Sequence, residues 1–534
     1  MVSKQGSSAF LKKSAQKTFA TLGLGWWHRP TQMSSLRAQR SNPGSAAMVC
    51  EPGLLRYARN DERSLSFFGT SLGWSTIFSK RNCLLLLLSS CAPPLATPDT
   101  SITANAYIAT SPTGATTTVA TMRQDWWTDF SSPTLNALVA QGLAANPSIA
   151  EADANLTAAQ QNAAANEGAY LPQIGLNPGQ PNISRTAEPG GPNGFPPYTI
   201  YALGGTISYD PGLFGARKYT FENGAALADY QEAEADAARQ TIAGNIAAAA
   251  IAEAGYQAQI ITTQKIIAAE QKLLTLLQGE FADGAIPELN VLQQRSTILA
   301  TQATLPALQT SADEQRDRLA ILTGQFPAAF TMPDIALDSF AIPTPIPISL
   351  PSAYLENRPD IRAARAQVAA QNAALGIAVS HLYPDLQLSA SGGWVATTLN
   401  PLFSPATAFW SLAGNLLVPL YDGGQLHAHK AAAQAQLAES LAAYHDAVLT
   451  AFGQAADTLQ AVQNDESALT SAQDAANTAI AAYKLAAQQF SLGAIDYTTV
   501  LAAQATAAQA ALVLTQTKTT LLLDIARLQA AMAS

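Results

Sequence analysis

"FADGAIPELNVL", residues 281–292, returns in altered form as "FSLGAIDYTTVL", residues 490–501. Phe, Gly-Ala-Ile and Val-Leu stand in register at an offset of 209 residues. Helical periodicity runs up to each stretch and away from it. Each therefore reads as a turn between two helices, with Gly284 or Gly493 supplying the backbone freedom at the bend.

Earlier in the chain the same duplication continues at an offset of 212. "NPSIAEA" at Asn146 matches "RPDIRAA" at Arg358, Pro172 matches Pro384, and Tyr209-Asp210 matches Tyr421-Asp422. The three-residue difference arises where "YDPGLFGAR" (209–217) faces "YDGGQL" (421–426). From Asn146 onward the chain is two copies of one unit.

Each unit predicts a helix, two strands, a long helix and a returning helix. Asn146 suits an N-cap and Pro147 the first helical position, opening a helix to about Tyr170. Its partner runs from Pro359 to about Leu382, and Pro172 and Pro384 end the two. Arg358-Pro359-Asp360 reads as a helix start with the acid near the positive end.

Strands follow. Leu386, Leu388, Ala390, Gly392 and Trp394 alternate with Asp385, Gln387, Ser389, Ser391 and Gly393. Trp410 to Leu420 alternates likewise, and weaker equivalents lie at 172–184 and 198–209. Period two over about ten residues fits a tilted strand in a bilayer. Gly215 in the first unit and Asp422, Gly423 and Gly424 in the second mark strand-to-helix turns.

Leu437, Leu441, Tyr444, Val448, Phe452, Ala455, Leu459 and Val462 step by three or four residues. The pattern predicts long helices over about 217–281 and 425–490, each about 100 Å. Shorter helices return over about 287–323 and 497–532. In each unit two short helices end to end match one long partner.

Four membrane-type strands cannot close a barrel, and open edges are not tolerated in lipid. Three chains would supply twelve strands, a sensible closed barrel. The fold expected is mainly α with transmembrane β: a trimeric twelve-stranded β-barrel continuous with a long α-helical barrel. The alternative is a lipid-tethered coiled-coil scaffold without a pore, which leaves the paired strands unexplained.

Composition agrees. Hydrophobic residues are 48% and charged residues 13%, too apolar for disorder, yet aromatics are only 7% and alanine dominates. That suits closely packed helices better than a thick core. Twelve Lys/Arg and three Asp/Glu precede Cys91; the remainder carries 17 and 35, a net charge of −18. Such a body is a poor nucleic-acid binder. No run of 18 apolar residues exists, so no membrane-crossing helix is expected.

"NCLLLLLSSCAPP" (82–94) reads as an export signal: Lys80 and Arg81, a short apolar core, then Leu88-Ser89-Ser90-Cys91 as a lipobox. Cys91 is the expected lipidation site; the alternative is a short buried apolar segment. Residues 1–75 lack a sustained apolar period. An over-extended start is expected, with the true one between Met48 and about Ile77. If cleavage precedes Cys91, Cys50 and Cys83 are lost and no disulfide framework remains. The expected divisions are a leader (1–90), an equatorial segment (91–133) and repeats at 134–345 and 346–534.

Enzyme signatures are missing: no phosphate loop, no H-E-x-x-H, no nucleophile elbow. His427 and His429 in "LHAHK" point apart on a helix and do not make a shared metal site. No cofactor is expected.

The chain resembles the TolC-like outer-membrane efflux factors, specifically the NodT/OprM lipoprotein type, over about Trp126 to Met532. "ENRPDIRAARAQ", "GIAVSHLYPDLQLSASGG", "PLYDGGQL" and the paired tips carry the likeness. The resemblance implies a homotrimer in the bacterial outer membrane, extending into the periplasm. It also implies docking to a periplasmic adaptor protein that links it to an inner-membrane pump. Phe281, Asp283, Gly284, Phe490, Gly493 and Asp496 would then meet the adaptor and form the closed end. Many relatives place an acidic gating ring nine residues after the second tip glycine. This chain has Ala502 there, a departure from that pattern; Asp496 or Asp283, near the tips, are the candidates to substitute, the alternative being no acidic ring.

Overall fold

The structure is a computed structural model that describes residues 95–100, 117–119, 125–177, 182–184, 198–343, 346–348 and 357–532. All lie within one compact unit, Trp74–Ser534. The leader, the start between Met48 and Ile77, and Cys91 fall outside the described residues.

The helices are α1 (Pro133–Ala145), α2 (Pro147–Ala169), α3 (Ala216–Ala282), α4 (Glu288–Gln302), α5 (Leu305–Leu322), α6 (Pro359–Ser380), α7 (Gln425–Ser491) and α8 (Tyr497–Met532). The strands are β1 (Thr117–Val119), β2 (Gln173–Asn177), β3 (Asn182–Ser184), β4 (Tyr198–Tyr209), β5 (Ile346–Ile348), β6 (Asp385–Ala396) and β7 (Ala408–Leu417). The two long helices, α3 and α7, have 67 residues each. At about 1.5 Å per residue each spans about 100 Å.

Two points correct the sequence reading. The returning helix expected over 287–323 is interrupted between Gln302 and Leu305. Pro306 is the cause: it has no N–H to donate, and its ring crowds the carbonyl four residues back. The second unit has Thr515 at the matching place, and α8 runs unbroken. The second correction concerns α8, which is long and apolar enough to cross a membrane by length and composition alone. Counting uninterrupted apolar runs missed it, because Thr and Gln are scattered among its Ala and Leu. Within the chain, α8 packs lengthwise on α7. The helix α1, which periodicity did not set apart, starts where Ser132 Oγ accepts from Leu135 N at 3.3 Å.

End-to-end stacking uses the same position in both units. Asn146 caps α2 by accepting from Ser148 N at 2.8 Å, and its Nδ2 donates to Leu322 O at 2.8 Å, joining α2 to the end of α5. The matching residue, Arg358, opens α6. Its guanidinium bonds Asp360 Oδ1 (2.8 Å), Gln454 Oε1 (2.5 Å) on α7 and Ala531 O (3.4 Å) at the end of α8. Arg358→Ala removes three of these ties at once. The expected loss is about 2 kcal/mol, with Arg358→Lys recovering only part; thermal unfolding of the purified protein measures both.

The main core lies where the two units meet. Trp126, Phe130, Leu135 and Val139 pack with Ile246, Ile251, Tyr444, Val448, Leu521 and Ile525. Ala243, Ala247, Ala250 and Ala254 are wholly buried on α3, where their small side chains let helix backbones approach. Phe130 meets Trp126 and Phe340 edge-on, at ring separations of 6.4 and 6.3 Å. The short parallel pair β1–β5 joins the N-terminal segment to the start of the second unit.

Candidate functional site

Two regions carry the functional geometry, the strand sheet and the helix-hairpin tips. The sheet runs β2–β4–β6–β7, and β3 pairs with the outer half of β4, continuing the row begun by β2. All pairings are antiparallel, and the central β4–β6 pair joins the first unit to the second. Register sorts the faces. Ile174, Ile207, Ala390 and Leu412 stand in one cross-strand row; the next row is Gly175, Thr206, Ser391 and Ser411. Ser391 and Ser411 share a hydrogen bond of 2.7 Å. One face is thus apolar and the other polar. Large apolar groups are open on the former: Ile174 is 80% exposed, Leu412 75% and Trp410 83%. Patches of this kind need a partner or lipid to cover them.

The close approach at the unit junction demands a glycine. A Cβ at Gly393 would lie 2.1 Å from Leu203 O across the β4–β6 pair. Below the sheet, the chain turns into the long helices through matched acids. Asp210 Oδ1 accepts from Gly212 N at 2.8 Å, and Asp422 Oδ1 accepts from Gly424 N at 2.9 Å. Asp422 Oδ2 also takes Leu426 N in the first turn of α7. Gly215, Gly423 and Gly424 all have positive φ. Phe214 does too, and its ring stacks on Tyr383 at 5.2 Å. Sequence reading singled out the glycines and Asp422 but missed the strained Phe214. The Tyr-Asp match at offset 212 was the available signal for Asp210.

At the far end both tips are built alike. Ala285 N donates to Glu280 O at 2.8 Å and Ala494 N to Gln489 O at 2.9 Å. Gly284 and Gly493 take φ of 74° and 71°. These are paired left-handed helix ends, with the orphan carbonyls satisfied. The side chains then diverge: Phe281 is exposed, whereas Phe490 is buried against Tyr497 at 6.2 Å. Leu289, Leu292 and Leu492 are exposed around the bends.

Asp283 closes α3, with its N–H on Gly279 O. Asp496 caps α8: it accepts from Thr499 Oγ1 (2.5 Å), Thr498 Oγ1 (2.9 Å) and Thr499 N (3.1 Å). Those bonds hold its carboxyl below the ordinary range. The cap's contribution is therefore complete above the ordinary aspartate value of 3.8, and is lost as pH falls through the lower folded value. Asp496→Ala should fray the first turn of α8 while Asp496→Asn retains most of it. Amide exchange at Thr499 separates the two. Ala502 lies exposed on α8, one turn beyond Thr498.

Just above the tips lies a polar node inside the second apolar cluster, which is formed by Leu273, Leu277, Phe490, Tyr497 and Val500. Tyr497 OH donates to Gln294 Oε1 at 2.7 Å, and Gln294 Nε2 donates to Glu270 O at 3.0 Å. Thr301 Oγ1 donates to Glu270 Oε1 at 3.0 Å. Burial pushes the Glu270 carboxyl up. Burial, with the Glu270 charge second, pushes the Tyr497 hydroxyl up to about 12 and raises Tyr483 too.

A two-faced strand sheet fused to hairpins about 100 Å long defines a class of protein: a membrane-embedded subunit with a rigid helical extension. The sequence matches the outer membrane efflux protein family over residues 138–325 and 350–534, and the chain belongs to that family. It is 28% identical to the pyoverdine export outer membrane protein OpmQ of Pseudomonas aeruginosa over 434 residues, 79% of this chain and 89% of that one. It is 28% identical to nodulation protein T of Rhizobium leguminosarum bv. trifolii over 347 residues, 64% of this chain and 72% of that one. Among solved structures, the outer-membrane channel OprN superposes with a TM-score of 0.77 at 27% identity, covering 83% of this chain and 98% of that one.

Proposed function

We propose that the protein is the outer-membrane exit duct of a tripartite efflux system. Three copies close a twelve-stranded barrel in lipid, and their helices continue it as a tube across the periplasm. Transport is passive: the chain performs no chemistry and uses no cofactor, and energy comes from an inner-membrane pump reached through a periplasmic adaptor. The observation that carries this reading is the sheet, two-faced along its length, with β2 and β7 each paired on one side only among the described residues. Such edges in lipid must find partners, and identical neighbours supply β7-to-β2 closure.

The tips, with Phe281, Asp283, Gly284, Phe490, Gly493 and Asp496, form the adaptor-facing end. Exposed Leu289, Leu292 and Leu492 give that end an apolar docking rim. With alanine at position 502, closure rests on packing rather than on an acidic ring there. Segment 91–133 wraps the equator and 134–345 and 346–534 are the two repeats, with a lipid on Cys91 holding the assembly to the membrane. Purified trimers in planar lipid bilayers should conduct ions. A stable lone chain without conductance would support the lipid-tethered scaffold instead and end the duct reading.

A further inference from the structure

Within the second hairpin, one carboxylate on α7 lacks a donor. Asp465 Oδ2 is buried, and no N–H or O–H among the described residues reaches it. The group within hydrogen-bond reach is another acid, Asp524 on α8. Asp465 stands one turn beyond Val462, and Asp524 is flanked by Leu522 and Ile525; all three apolar residues belong to the main core. The Asp524 side chain is 14% exposed, and Arg527 Nη1 donates to its Oδ1 at 2.7 Å. Shifted by 209 residues, the two acids fall on Tyr256 and Gln315, so the duplicated fold does not call for a carboxyl pair here. Charged groups on the elements packed around the pair are met elsewhere. On α3, the charged neighbours of Glu253 are Arg316, Asp334 and Asp313. In the short helix Trp126–Phe130, Asp129 accepts from Gln529 Nε2 at 3.1 Å. At the start of α6, Arg358 holds Asp360, and farther along α8 Lys518 pairs with Asp338. On α7 itself the neighbouring acid is Glu466.

We propose that Asp465 and Asp524 share one proton across the α7–α8 contact, making the end of α8 a pH-sensitive joint. Two facing carboxylates offer only lone pairs, so a hydrogen bond between them requires a proton on one. Arg527 favours the charge on Asp524, which places the proton on Asp465. With it, Asp465 donates to Asp524 and the buried oxygen is satisfied. Without it, two like charges face each other at the edge of an apolar core. Burial first, then the bond to Asp524 and its charge, push the Asp465 carboxyl up to about 6. The folded value is raised above the ordinary 3.8. The stability is therefore fully present below 3.8 and is lost as pH rises through about 6. The same stretch of α8 carries Gln529 to Asp129 and the Ala531 carbonyl to Arg358, so a loosened joint loosens both ties. Both acids belong to one hairpin, and the inference does not rest on the duct reading.

The test is amide exchange of the purified full chain over residues 520–530, from about pH 4 to about pH 8, corrected for the intrinsic pH dependence of exchange. In the native protein, protection should fall roughly tenfold as the proton leaves. Asp465→Asn keeps the shape and offers Asp524 an N–H at every pH. Its protection should stay level and exceed the native value at the alkaline end. Asp524→Asn should level the profile as well, so the test survives if one variant fails to fold. Glu466→Gln, which alters only the adjacent charge, should keep the native fall. A level native profile, or a fall that persists in Asp465→Asn, would overturn the shared proton. So would protection that follows added magnesium ion at fixed pH, which would give the two carboxylates to a metal instead.

Discussion

Leu412→Arg should abolish trimer formation in the outer membrane, while Ser411→Arg, one residue away, should leave assembly intact. Leu412 lies in the middle of β7, in the row with Ala390, Ile207 and Ile174. In the closed barrel proposed above, that row faces lipid. An arginine near the bilayer midplane costs about 2–4 kcal/mol, and threefold symmetry imposes that cost three times in one ring. Ser411 belongs to the alternate row with Ser391 and Thr206, which faces the lumen of the proposed barrel. An arginine there meets water, so its effect should fall on conductance and ion selectivity. Heat-resistant trimer on a gel, followed by bilayer recording, reads both. Should Ser411→Arg block assembly and Leu412→Arg pass, the faces are reversed and the barrel as described is wrong.

The second large effect sets two glycines of identical conformation against each other. Gly324 and Gly284 both have φ of 74°. Gly324 ends α5 with the same left-handed motif as the tips, Gln325 N donating to Ala320 O at 2.8 Å. Its surroundings differ. A Cβ there would lie 2.4 Å from Ala145 O at the end of α1, whereas a Cβ on Gly284 meets nothing within 4 Å. Gly284→Ala should therefore cost only the left-handed strain, about 1 kcal/mol. Gly324→Ala adds a collision with backbone that cannot rotate away, and about 3 kcal/mol or more is expected. Equal effects on thermal unfolding would show that α1 yields easily, contrary to its place in the main core.

Much of the architecture was legible because it is periodic or repeated. The tips at Gly284 and Gly493, the long helices ending beside them and the strand alternation around Trp394 and Trp410 all leave local marks. Each depends on neighbours a few residues away. The break at Pro306 is also local, a proline within an otherwise helical stretch, whereas the matching helix in the other unit has none. What periodicity could not show were contacts across long separations. Arg358 was recognised as a helix start; its reach to Gln454 and Ala531 was not. Asp496 stood out with Asp283 as one of two acids near the tips; its capping bonds to Thr498 and Thr499 were not legible.

By itself the sequence determined the order and approximate lengths of the repeated long helices and strands and which strand residues share a face, but not α1, β1, β5 or the break before Pro306. Those follow from helix and strand periods, proline and glycine backbone limits, and the duplicated register at offsets of 209 and 212. Only the tertiary structure decided which row of β4 meets which row of β6, that Asn146 and Arg358 weld short helices end to end, and that Tyr497 finds Gln294. The reason is physical: a hydrogen bond between residues 203 apart depends on where helix axes cross, and helix crossing is set by summed side-chain packing that no local pattern encodes.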